Sequence, residues 1–180
     1  YLGPSNYGLL NYAVAIVALF AIFVKLGLQS IVVRDLVNDP ALSNETIGTA
    51  ILIQIAGAVV AYGLLISLIS YLQAESAITR SIVALLGLTL FTKSLDTARY
   101  WFEAKVISKY VVWFSNIVFL ILSVVRVLLI IAEAPLLAFV WVLLVDAVVV
   151  SVGTLVLLFR IGPGVCALRF DLDRARNLIS

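Results

Sequence analysis

Residues 136–159 read LLAFVWVLLVDAVVVSVGTLVLLF, twenty-four positions with a single charge, Asp146. A bilayer core about 30 Å thick takes about 20 apolar residues of helix to cross, so this stretch is long enough to span it. Pro135 stands just before it, where a missing N–H costs a helix nothing. Working outward, four more stretches have the same character. Residues 9–33 are interrupted by Lys25, 47–72 have Gln54 as their strongly polar member, 77–95 contain Lys93 with Asp96 just beyond, and 110–131 contain Asn116 and Arg126. The runs are continuous rather than alternating, which excludes the strands of a membrane barrel. The expectation is an all-α membrane protein of five transmembrane helices, with a helical bundle over 1–160 and a linker over 161–180.

Composition agrees. Hydrophobic residues make up 64% and charged residues 12% of the 180, against roughly 25% charged in a soluble domain. There is no histidine and one cysteine, Cys166, so an internal disulfide and a CxxC site are excluded. Neither a Gly-x-Ser-x-Gly elbow, nor a P-loop, nor a close acid pair is present, and nothing points to nucleic acid. We therefore expect no catalysis, no cofactor and no metal. The chain opens without Met on the loop-like Leu2-Gly3-Pro4-Ser5-Asn6-Tyr7-Gly8, and closes on an amphipathic lead-in. The expectation is a portion of a longer protein.

Lys and Arg set the orientation. With five spans, Arg34, Arg99, Lys105, Lys109, Arg160, Arg169, Arg174 and Arg176 fall on one side and Arg80 alone on the other. The first side is expected to be cytoplasmic, with Tyr1 outside, Ser180 inside and a further span before Tyr1. Tyr7, Tyr12 and Tyr71 fall near the outer interface, and Tyr100, Trp101, Phe102, Tyr110 and Trp113 near the inner one, as anchors.

Charges within the spans are the functional signal. Each costs about 2.5–3.5 kcal/mol at a helix centre, so it faces a partner or a wet cavity. Lys93, Asp96 and Tyr100, with Thr89 and Thr92, lie on one face of the third span. Lys109, Asn116 and Ser123 recur every seven residues in the fourth, continued by Arg126. Asn11, Ala18 and Lys25 do so in the first, continued by Gln29. Such faces turn inward to a shared space, because lipid offers them nothing. For Lys25 and Lys93 the competing reading is a stem that snorkels to the interface. Arg126 and Asp146 flank the turn at Glu133–Pro135 and differ in depth by about four residues, roughly 6 Å at the helical rise, so an ion pair is feasible. Gly48, Ala50, Ala56, Gly57, Ala58, Ala61 and Gly63 let the second span pack closely.

Two motifs carry a resemblance. One is Leu2-Gly3-Pro4-x-x-Tyr7-Gly8-Leu9-Leu10, followed by an apolar helix ending in Leu26-Gly27-Leu28 and then Arg34. The other is Tyr100-Trp101-Phe102-Glu103-Ala104 with Lys109-Tyr110. Together they resemble the bacterial polysaccharide flippases, the O-antigen and exopolysaccharide exporters of the multidrug/oligosaccharidyl-lipid/polysaccharide superfamily. The resemblance covers the whole chain. It implies two lobes of about six helices around a central cavity, with this chain as helices two to six of the first lobe. It also implies movement of undecaprenyl-diphosphate-linked oligosaccharide from the inner to the outer leaflet by alternating access. The partners would be that lipid-linked oligosaccharide, membrane lipids and the rest of the same chain.

An anionic lipid diphosphate with a polar sugar head needs a wet, cationic path. Lys25, Lys93 and Arg126 are the candidate cations, and Asn11, Gln29, Gln54 and Asn116 the candidate partners of sugar hydroxyls. Asp96 or Asp146 would carry a coupling ion. Two other classes share some of these features: a small-molecule or multidrug exporter of the same superfamily, and a membrane-embedded enzyme of polysaccharide biosynthesis.

Overall fold

The computed structural model describes residues 3–25, 28–38, 43–72 and 76–161. Among them lie α1 (Gly3–Lys25), α2 (Leu28–Asn38), α3 (Ser43–Leu72), α4 (Ala77–Gly87), α5 (Thr89–Leu95), α6 (Thr97–Ala104), α7 (Lys109–Ile131) and α8 (Leu136–Ile161). The described residues contain no strand. Five stretches are long and apolar enough to cross a membrane: Asn6–Asn38, Glu45–Leu72, Ala77–Ala104, Lys109–Ile131 and Leu136–Ile161. This is an all-α membrane protein. Ile161 ends α8, and the rest of the expected 161–180 linker, Cys166 included, lies outside the described residues.

The third crossing departs most from its sequence reading. It runs to Ala104 rather than ending at residue 95, as three short helices almost end to end. The joints at Leu88 and Asp96 keep right-handed helical angles (φ −59° and −60°), so the chain tightens without turning away. The polar residues that mark 96–104 as a loop in sequence are paired: Lys93 with Asp96 and Arg99 with Glu103. Its aromatics turn inward. Tyr100, Trp101 and Phe102 are 4%, 5% and 0% exposed, packed with Leu28, Val32 and Leu36 of α2 and Leu158 of α8. They are core residues, which corrects the expectation of interfacial anchors. The physical reason is α2, whose apolar face needs a partner and meets α6. Tyr7, Tyr12, Tyr71, Tyr110 and Trp113 stay exposed, as anchors must.

Two turns close by the same device. After α6, Val106 takes φ 58° while the N–H groups of Val106 and Ile107 donate to the carbonyls of Glu103 and Phe102. After α7, Glu133 takes φ 50° while those of Glu133 and Ala134 donate to Ile130 and Leu129. Both are Schellman closures, which satisfy the last carbonyls of a helix through one left-handed residue. The second sets α7 and α8 side by side, with Gly153 facing Phe114. A Cβ at 153 would meet that ring, so the two helices approach as closely as they do because position 153 has none.

The interior is layered along the bundle axis. One apolar cluster holds Val17 and Val24 of α1, Ala58, Ala61 and Leu65 of α3, Ile82 and Leu90 of the third crossing, and Val140 of α8. The other holds Leu28, Val32 and Leu36 of α2, Ile47, Ala50 and Ile51 of α3, Ala98 and Tyr100 to Phe102 of α6, and Leu158 of α8. Each chain segment running from one cluster to the other passes a polar position: Lys25, Gln54, Lys93 to Thr97, and Ser151 with Thr154. A polar layer therefore crosses the bundle between two apolar blocks.

Candidate functional site

Gln54 is the deepest member of this layer, fully buried on α3. Its Oε1 accepts a hydrogen bond from Thr97 Oγ1 at 2.7 Å. Its Nε2 is buried without a hydrogen bond of its own, with the Tyr100 hydroxyl for a neighbour. In hydrocarbon no water competes for such a bond, so the Gln54–Thr97 contact fixes α3 against α6. Sequence reading singled out Gln54 and missed Thr97. The available signal was Thr97's place four residues after Lys93, on the same helical face.

Asp96 stands at the joint between α5 and α6. One carboxylate oxygen lies 3.6 Å from Lys93 Nζ, and the other accepts from Ser151 Oγ of α8 at 3.2 Å. Lys93 is half-buried and faces outward from this group into a cleft of about 420 Å³. The cleft lies between α1, the α4–α5 joint and α8. Its polar lining is Lys25, Thr89 and Lys93; Ala18, Ala21, Leu143 and Ala147 are among its apolar walls. The two lysines expected to share a space do share it. Lys25 is exposed there and has no ion pair among the described residues, whereas Lys93 is held by Asp96. Small side chains at Ala18, Ala21 and Ala147 leave the volume open.

Arg126 and Asp146 lie beside the cleft rather than in it. Arg126 Nη2 donates to Asp146 Oδ2 at 2.8 Å, with the two side chains 27% and 24% exposed. Asp146 immediately precedes Ala147, one turn beyond Leu143, so the pair borders the cleft wall on the α7 side.

Three other candidates are placed elsewhere. Gln29 Nε2 donates to Glu103 Oε2 at 3.0 Å, and Arg99 Nε lies 3.4 Å from the other oxygen. Gln29 therefore belongs to a second, open recess of about 670 Å³ with Ser30, Val33, Arg34 and Glu103. It lies on α2, whose apolar face packs with residues of α6. Asn11 donates to its own helix at Tyr7 O, 3.0 Å away. Asn116 is exposed on α7, off the cleft and without a hydrogen bond among the described residues. Its seven-residue line with Lys109 does not turn it toward α8, because Val111 and Val118 occupy that face.

Chemically, the cleft is a mostly apolar recess lined by two lysines, one of which stands 3.6 Å from a carboxylate. It can hold an anionic group against Lys25 and Lys93, with an apolar remainder along its walls. Among the described residues no group of His, Cys, Asp or Glu is placed to hold a metal ion.

No curated protein and no solved structure matches this chain. A family model described as polysaccharide biosynthesis protein matches residues 1–180, its entire length. With five membrane-crossing helices and a charged layer between them, the chain belongs to the polysaccharide biosynthesis protein family.

Proposed function

We propose that this chain forms part of a flippase that translocates undecaprenyl-diphosphate-linked oligosaccharide repeat units across the bacterial cytoplasmic membrane by alternating access, and that it is not an enzyme. The observation that carries the reading is the placing of Lys25 and Lys93, from separate crossings, on one cleft with otherwise mostly apolar walls. Two like charges in hydrocarbon repel, and a diphosphate between them relieves that repulsion while keeping its lipid chain outside. Membership of the polysaccharide biosynthesis family supports a saccharide-bearing substrate. In this reading the chain is the second to sixth helices of a six-helix lobe, its Arg160 end faces the cytoplasm, and Arg126 with Asp146 bounds the path on the α7 side.

The test is transport of lipid-linked sugar by the full-length protein in cells. Lys25→Gln with Lys93→Gln is expected to lower transport at least about tenfold, the rate equivalent of roughly 1.4 kcal/mol, with membrane insertion unchanged. Arg at both sites is expected to retain part of the activity. Normal transport in the double Gln variant removes the cleft from the path.

A further inference from the structure

The open recess of about 670 Å³ on α2 shares no lining residue with the cationic cleft. It is lined by Gln29, Ser30, Val33 and Arg34 of α2 and by Glu103 of α6. Its level in the membrane follows from where those helices stop. Glu103 is one residue from Ala104, the end of a 28-residue crossing, and Arg34 is four from Asn38, the end of another. Twenty-eight residues of helix are about 42 Å long, which matches a bilayer with its headgroup layers, about 40–45 Å, rather than the hydrocarbon alone. The last residues of such a crossing lie among lipid headgroups, and so does the recess.

Charges around the recess are balanced, with Arg34 and Arg99 against Asp35 and Glu103. Gln29 Nε2 donates to Glu103 Oε2 at 3.0 Å, and Arg99 Nε lies 3.4 Å from Oε1. A carboxylate offers about four acceptor positions, so Glu103 keeps room for a further donor. Arg34 meets Asp35 at 3.4 Å, yet its side chain stays 67% exposed, which leaves guanidinium N–H groups for a phosphate. A guanidinium on one helix and a carboxylate on the other match a headgroup that carries both a phosphate and an ammonium. We infer that the recess binds the headgroup of an ethanolamine phospholipid, its phosphodiester on Arg34 and its primary ammonium on Glu103. Other headgroups fit less well. Choline has no N–H to give a carboxylate and is recognised by aromatic faces, whereas the lining contains no ring. A glycerol headgroup brings the phosphate charge without the ammonium and meets two carboxylates. The site lies outside the proposed transport path and does not rest on the flippase reading.

Native mass spectrometry tests this on the full chain, released from nanodiscs holding equal parts of phosphatidylethanolamine, phosphatidylcholine and phosphatidylglycerol. The ethanolamine lipid is expected to be retained about tenfold over the other two, a ratio equivalent to roughly 1.4 kcal/mol. Arg34→Gln should remove that preference and Arg34→Lys should keep part of it; the side chain is exposed, so neither change threatens the fold. Glu103→Gln should abolish the preference over phosphatidylcholine and raise retention of phosphatidylglycerol, because the carboxylate that repels it has gone. Equal retention of the three lipids by the unaltered protein, or a preference unchanged in both Gln variants, overturns the assignment. Phosphatidylglycerol retained best by the unaltered protein overturns it too, since the recess then acts as a cationic patch. Displacement of the lipid by water-soluble glycerophosphoethanolamine at equal concentration would make the ligand a soluble phosphoethanolamine and overturn the lipid as its occupant.

Discussion

Arg126 and Asp146, twenty residues apart on the two helices of the α7–α8 hairpin, meet at 2.8 Å with about three-quarters of each side chain covered. Neither helix would hold its charge in hydrocarbon alone. The pair neutralises both, and the tight turn at Glu133 brings them within reach of each other. Removing one partner is thus costlier than removing both. Arg126→Leu or Asp146→Leu is expected to destabilise the detergent-solubilised protein by about 2–3 kcal/mol, the cost of a lone charge at a helix centre. The double Leu variant should lie within about 1.5 kcal/mol of the unaltered protein. Thermal unfolding followed by helical circular dichroism reads all three. Single effects that simply add would mean the two charges do not depend on each other.

Gln54 and Thr97 make the corresponding neutral test. The bond crosses between α3 and α6 with both residues fully buried. Thr97→Val keeps the shape and strands Gln54 Oε1. Measured losses for polar contacts inside membrane proteins average about 0.6 kcal/mol and reach about 1.7, and full burial sets the expectation here near 1 kcal/mol. Gln54→Leu with Thr97→Val should recover most of it, since no orphan then remains. A double variant less stable than Thr97→Val alone would show that Gln54 contributes mainly through its volume.

How far this was legible in sequence depends on the kind of force involved. The five crossings follow from hydrocarbon thickness and the apolar runs, while the first and third run on past their sequence readings, to Asn38 and Ala104. At Asp96 to Glu103 the charges suggest a loop, and only their mutual pairing, together with the apolar face of α2, keeps the chain helical and buried. Within the site, the shared facing of Lys25 and Lys93 followed from helical periodicity, as did the level of Arg126 and Asp146. Gln29 and Asn116 lie off this cleft because periodicity fixes a line on one helix but not which neighbour that line meets. Gln29 meets Glu103 of α6, and α7 turns Val111 and Val118, not Asn116, toward α8. Ser151 was missed because a lone hydroxyl in an apolar run carries no signal until its acceptor is placed.

Orientation rests on the distribution of Lys and Arg and is tested at the two turn tips. Val106 and Glu133 are both exposed and stand at opposite ends of α7. In a Cys166→Ser background, Glu133→Cys is expected to react with a membrane-impermeant maleimide in intact cells. Val106→Cys is expected to react only after the membrane is opened. The reverse pattern would invert the orientation and place Lys25 and Lys93 toward the outer leaflet.

The unequal surroundings of the two lysines give the sharpest functional expectation. Lys25 has no ion pair among the described residues, while Lys93 stands 3.6 Å from Asp96, which is itself tied to Ser151. An anion entering the cleft meets Lys25 at full charge but must compete with a carboxylate for Lys93. Lys25→Gln should therefore weaken pyrophosphate binding more than Lys93→Gln does. Asp96→Asn should act in the opposite direction: it keeps the shape and the contact with Ser151 but releases Lys93, and should tighten binding by about three- to tenfold, about 0.7–1.4 kcal/mol. That gain should disappear when Lys93→Gln is added, because Asp96 acts only through the lysine. Binding measured calorimetrically on the full chain, at low and high salt, separates this from a general field effect. A local competition keeps the order of the variants when salt screens long-range charge. If Asp96→Asn weakens binding, or tightens it equally in the absence of the Lys93 ammonium, the carboxylate does not hold that cation back from the cleft.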